Sequence, residues 1–173
     1  LRNWENVADI FQDSKKRKLP MDEKSWEMGI GALAHLGEWK CARTNLSTLW
    51  KLGKKPTSNT YDYVVDVLQI AGEWEMLLEL FENVRKRGEN LSFESFKVIL
   101  ISLAKANQWH RLIGFFEQAG VSPDTDVLNL VLLACANTKE IDRGLMAWKS
   151  FSSLRNEQSN MIKERLEALK SDH

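Results

Sequence analysis

Apolar residues recur along this chain with the spacing of one buried helical face, and glycine interrupts them at intervals. Tyr61, Val64, Val65 and Leu68 keep that spacing; Gly72 breaks it; Trp74, Leu77, Leu78, Leu80 and Phe81 resume it as far as Gly88. The preceding stretch repeats the scheme with Trp26, Ile30 and Leu33, then Gly37, then Trp39, Ala42 and Leu46, ending at Gly53 and Pro56. The following one gives Phe96, Ile99, Leu100 and Leu103, then Trp109, Leu112, Ile113 and Phe116, and stops early at Gly120-Val-Ser-Pro123. Each stretch predicts two helices joined by a turn, with glycine where a helix ends. From about Thr125 the scheme continues with Leu128, Leu132 and Cys135, then Ile141, Leu145 and Trp148. A lone second helix, Trp4 to about Lys18, precedes the array. Leu154 to about Lys170, with Met161, Ile162, Leu166 and Leu169, predicts an amphipathic closing helix. No segment reads as a strand or a long linker.

The scheme has a fixed period. Trp4, Trp39, Trp74 and Trp109 stand 35 residues apart, and the same step links Trp26, Tyr61 and Phe96, as well as Phe11, Leu46, Phe81 and Phe116. Ile141 follows Trp109 by 32 residues, so the third unit is three residues short. The units are 23–57, 58–92, 93–124 and 125–153, flanked by a truncated leading helix in 1–22 and a capping helix with its tail in 154–173. Repeats of this length cannot bury their apolar faces alone, so the expected fold class is all-α, an α-solenoid of stacked helix–turn–helix units. Such proteins work through an extended surface. The repeated Trp opens each second helix, on the side expected to pack between units; an exposed aromatic there would instead stack on a base.

Composition narrows the function classes. The 24 basic residues balance 24 acidic ones, which disfavours a generic nucleic-acid binder without excluding a local basic stripe. Cys41 and Cys135 fit no zinc or redox spacing, and two reduced core thiols are expected. The longest apolar run, Val127 to Ala136, is too short for a membrane span. No signal peptide is visible, and Asn45-Leu-Ser47 and Asn90-Leu-Ser92 match the glycosylation pattern only weakly without one. The chain opens without Met, which suggests that something upstream is missing from it. His35, His110 and His173 form no metal-binding spacing, and no phosphate loop, nucleophile elbow or paired-acid motif appears. Neither a cofactor nor a small-molecule substrate is expected, and nothing supports catalysis.

The 35-residue helix–turn–helix unit, the aromatic at its fourth position (Trp26, Tyr61, Phe96), the Ala-Gly-Glu-Trp turn at 71–74, the Leu-Phe-Glu segment at 80–82, Gly53 and Gly88, and the closing Pro123-Asp124 together resemble the pentatricopeptide repeat family. The resemblance covers residues 1 to about 153. It implies a right-handed superhelix, an organellar location (mitochondrion, or alternatively plastid) and single-stranded RNA read at roughly one base per repeat. It also implies that the reading residues are the fifth and last of each unit: Glu27 with Thr57, Asp62 with Ser92, Lys97 with Asp124, and Asn129 with a residue near Ser159. Only Asn129 matches the family's preference at the fifth position. The base-clamping second position holds polar Lys24, Asn59, Glu94 and Asp126, and the phosphate-contacting lysine late in the first helix is matched only by Lys105; His35, Ile70 and Asn137 occupy the equivalent places in the other units.

Basic clusters recur near the ends of successive second helices: Lys15, Lys16, Arg17 and Lys18; Lys51, Lys54 and Lys55; Arg85, Lys86 and Arg87. They read either as a phosphate track along one edge or as cations placed against helix C-terminal dipoles. Two functions follow. One is a module of an organellar ribonucleoprotein or multiprotein assembly that contacts single-stranded RNA; the other is an RNA-independent protein scaffold within such a complex. Four repeats would address only about four bases, too few for a unique transcript.

Overall fold

The computed structural model describes residues 2–171, and among them every regular element is helical. In chain order these are α1 (Arg2–Lys16), α2 (Glu23–His35), α3 (Trp39–Lys51), α4 (Ser58–Ile70), α5 (Trp74–Lys86), α6 (Phe93–Lys105), α7 (Trp109–Ala119), α8 (Thr125–Thr138), α9 (Ile141–Ser150) and α10 (Glu157–Ser171), with a 3₁₀ turn at Ser152–Leu154 before α10. The chain forms two compact units, Leu1–Ile99 and Leu100–His173, with the boundary along the sequence falling in α6.

The first helix of each hairpin starts at a short polar residue whose side chain satisfies a free N–H. Asp22 accepts from the Ser25 amide, Thr57 from Thr60, Ser92 from Ser95 and Asp124 from Val127, at 2.8–3.2 Å. Each cap of this kind contributes about 1 kcal/mol. The turn inside each hairpin needs a left-handed residue. Gly72 supplies it with φ 73°, and its N–H returns to the Gln69 carbonyl. The equivalent in the third unit is Asn107 at φ 55°, the side chain that tolerates this region best after glycine.

In the first unit, α2 packs on α1, α3 and α4, and α4 packs on α3 and α5. Ile30, Leu33, Leu46, Leu49, Leu68 and Leu77 are fully buried there. Each such side chain contributes about 1.5–3 kcal/mol of apolar burial. Helices α1 and α2 approach closely at Gly29, where an added Cβ would lie 2.2 Å from the Phe11 ring. In the second unit, α8 packs on α7, α9 and α10, with Leu112, Leu128 and Leu132 at its core. Helix α10 lies against α8 and α9 just as α4 lies against α2 and α3, the place of a next unit's first helix.

Four expectations change. The leading helix spans Arg2–Lys16, and Lys18 sits beyond it in a left-handed turn (φ 56°), at the position Gly53 holds one repeat later. The closing helix begins at Glu157; only Leu166 of its expected apolar face is fully buried, and Met161 points to solvent. The periodic tryptophans are not core residues. Trp39, Trp74 and Trp109 are half-buried and Trp4 is exposed, stacked on His35 with ring centres 4.3 Å apart. An indole at a helix start buries its carbon face and leaves its N–H at the wet rim. Cys135 is buried as expected, with its thiol pushed up to about 11, chiefly by burial and then by Glu140; Cys41 is only half-buried.

Candidate nucleic-acid interface

The structure brings the fifth and last residues of the first two units together, and in both it joins them to each other. The Thr57 hydroxyl donates to Glu27 Oε2 at 2.7 Å, and Asn59 Nδ2 donates to Oε1 of the same carboxylate at 3.1 Å. One repeat later, Ser92 and Ser95 hydroxyls both donate to Asp62 Oδ1 at 2.6 Å. A hydroxyl donating to a carboxylate makes a short, charge-assisted bond. Thr57 and Ser92 also cap α4 and α6, so the oxygen lone pairs take a backbone N–H while the hydroxyl proton goes to the acid. These two pairs present closed contacts and an anionic edge.

Beside Asp62, Asp66 is held above the usual carboxylate range, first by burial and then by the Asp62 charge, while His35 works against the rise. Lys97 and Asp124 fall in different compact units. The Lys97 ammonium lies 5.8 Å from the Phe93 ring centre, and Asp124 caps α8.

In the second unit Asn129 is 6% exposed; its Nδ2 reaches Gln158 Oε1 at 3.3 Å, and its Oδ1 has no hydrogen-bond partner. The residue that caps the next helix is Asn156, three positions before the expected Ser159. Asn156 Oδ1 accepts from the Ser159 amide and Ser159 Oγ accepts from the Asn156 amide, both at 2.8 Å, a reciprocal cap. The caps at 92, 124 and 156 therefore share a 32-residue spacing, and counting 35 from Asp124 overshoots. The sequence held the signal in Asn156 followed three residues later by Ser159.

The basic residues gather as clusters at the C-terminal ends of α1, α3 and α5. Part of each cluster is engaged. Lys15 bonds to Asn45 Oδ1, Arg17 pairs with Asp13 at 2.9 Å, Lys54 donates to the Met21 carbonyl at 2.8 Å, and Arg87 pairs with Glu89 at 3.3 Å. Lys16, Lys18, Lys51, Lys55, Arg85 and Lys86 carry no ion-pair partner among the described residues, and all six are exposed. Lys105 is likewise exposed, in the last turn of α6. Among the described residues no group of His, Cys, Asp and Glu is arranged to hold a metal; His173 lies outside them. No helix described is long and apolar enough to cross a membrane.

No protein-family model and no curated protein sequence matches the chain. Solved structures do. The pentatricopeptide repeat domain of protein-only RNase P 1 from Arabidopsis thaliana, solved with tRNA, superposes with a TM-score of 0.73 at 10% identity, over 95% of this chain and 91% of that one. The maize pentatricopeptide repeat protein PPR10, solved with an 18-nt psaJ RNA element, superposes with a TM-score of 0.61 at 23% identity, over 87% of this chain but only 22% of that one. Identities this low carry the architecture and not the binding chemistry. The capped helical hairpins, their 35-residue step and these superpositions agree: the chain has the all-α helical-repeat fold of the pentatricopeptide repeat proteins.

Proposed function

We propose that the chain is a non-catalytic interaction module that contacts single-stranded RNA through phosphate charge more than through base reading, within a ribonucleoprotein or multiprotein assembly of an organelle, mitochondrion before plastid. The carrying observation is the set of unpartnered cations at the ends of α1, α3 and α5. A helix-end cation kept only for its dipole gains a few tenths of a kcal/mol and has no need of neighbours; three clusters one repeat apart suit a polyanion. The closed Glu27–Thr57 and Asp62–Ser92 pairs argue against base recognition by the first two units. That Arabidopsis and maize proteins of this fold were solved with RNA supports the class of ligand.

The test is binding of the chain to a random single-stranded RNA pool at about 50 and 200 mM salt, where each phosphate contact steepens the logarithmic salt slope by about 0.7. Charge reversal at Arg85, Lys86 and Arg87 should flatten that slope by about 2. A pool that fails to bind even at the lower salt ends this reading. The RNA-independent scaffold reading, which the closed acidic pairs favour, then stands in its place.

A further inference from the structure

The 35-residue step lets one groove of the molecule serve as the control for the next. Between α3 and α5, Arg43 donates both Nη2 contacts to the Glu79 carboxylate at 2.7 and 2.8 Å, and Trp50 and Leu80 fill the space below; a cavity of only about 20 Å³ remains. Between α1 and α3 every one of these sealing residues has changed. Ala8 stands for Arg43, Thr44 for Glu79, Lys15 for Trp50 and Asn45 for Leu80. The groove is open there, with a volume of about 370 Å³, and its lining includes Lys15, Lys16, Lys40, Cys41, Thr44 and Asn45.

Among the described residues no carboxylate lines this cleft. The Lys15 ammonium is held by Asn45 Oδ1 and lies 5.9 and 5.7 Å from the Phe11 and Trp26 ring centres, which fixes its position. Lys40 extends over Trp39 at 5.4 Å, and neither it nor Lys16 has an acidic partner among the described residues. Three lysines in the lining of one concavity, with no acid beside them in that lining, favour a bound anion. Thr44 adds a hydroxyl on the exposed side of α3, now bonded to the Lys40 carbonyl at 2.7 Å.

We infer that the α1–α3 cleft is a phosphate site, built where the next groove is sealed by Arg43 and Glu79, and that it takes a phosphate or phosphodiester group. The site shares Lys15 and Lys16 with the basic edge and so extends the proposed function, but it lies between second helices, and no fifth or last residue is in its lining.

Cys41 in the lining is the reporter, because the other cysteine, Cys135, is buried. The rate of Cys41 alkylation by iodoacetamide is measured in rising inorganic phosphate, with chloride at matched ionic strength as the control, and again with a short oligoribonucleotide. Phosphate should slow the reaction along a saturating curve, about tenfold at ten times the half-saturating concentration. Thr44→Glu and Lys40→Glu, both exposed, should abolish the protection while leaving the helical circular dichroism unchanged. Protection by the oligonucleotide as well assigns a phosphodiester; protection by phosphate alone assigns a free phosphate group. No protection by either probe, or protection that survives both substitutions, overturns the site. A chain that protects Cys41 with phosphate yet binds no RNA pool keeps the site and loses only the RNA reading.

Discussion

Glu27 and Asp62, in the first ninety-nine residues, spend their carboxylates on the hydroxyls of Thr57, Ser92 and Ser95, whereas the equivalent Asn129 in the second unit keeps a buried Oδ1 without a partner. The scaffold beneath is the same in both: a capped first helix, a left-handed turn and a second helix. The difference separates two roles that coincide at the last residue of each unit. Asp22, Thr57, Ser92, Asp124 and Asn156 all cap the following helix, so their chemistry is already set by an orphan backbone N–H. A residue type demanded by the helix says little about a ligand. The fifth position has no such duty, and there the two units part: acids that close the contact in one, an amide that leaves it open in the other.

The largest effects should not distinguish the units at all. Leu68→Ala and Leu132→Ala each remove a side chain with no exposed surface and should cost about 2–5 kcal/mol in urea unfolding. A difference of more than 2 kcal/mol between them would break the claim of a common scaffold. Trp74→Ala, half-buried, should cost less than either.

Close approaches come next. In Gly29→Ala the new methyl meets the face of the Phe11 ring, and about 1–3 kcal/mol should be lost. In Gly144→Ala the new methyl meets Leu166 Cδ1 at 2.8 Å, the movable end of a side chain, and Cys135 Cβ at 3.0 Å, both farther than the ring at Gly29, so the loss should be smaller. Thermal melts of the two variants check the order.

The polar positions should show opposite signs. Thr57→Ala removes a cap and the donor to Glu27 and should destabilise by about 1–2 kcal/mol. Asn129→Leu replaces a buried, half-satisfied amide and should be neutral or stabilising. If Asn129→Leu destabilises as much as Thr57→Ala, the amide is not an open position.

The smallest effects concern pH. Glu140 is held below its ordinary value mainly by the Arg143 hydrogen bond, helped by His110. Its contribution is present above the unfolded carboxyl pKa and fades as pH falls through the lower folded value. Asp66 is shifted upward, so its ionised form opposes folding at neutral pH and protonation relieves it. Asp66→Asn should therefore stabilise at pH 7 and lose that advantage in acid; Arg143→Met should weaken the fold at pH 7 and matter less below pH 4. Both should be the smallest of these effects, as these groups are solvent-screened. Melting temperatures across pH 3–7 decide the signs.

Much of this was written in the chain as periodicity. Helix existence, hairpin turns and the buried stripe of Ile30, Leu33, Leu68 and Leu100 follow from apolar spacing and glycine alone, because a helix must hide one face. The tryptophans misled for a physical reason: a repeated spacing marks a structural position, and the start of a helix at the edge of a packed layer is half wet. The 32-residue step to Asn156 was legible only to a search for caps, since no strong apolar marker sits at that boundary.

What no periodicity carries is which polar side chains find each other. That Glu27 would meet Thr57 thirty residues away, or that Lys15, Lys40 and Thr44 would line one open groove while Arg43 and Glu79 close its neighbour, depends on how adjacent helices are placed. Apolar burial is non-directional, so sequence spacing suffices to place it. Hydrogen bonds and ion pairs require a distance near 3 Å and an angle. The helical-repeat fold was thus determined by the sequence pattern, and the closed acidic pairs and the cationic cleft were decided only by the packing of one repeat on the next.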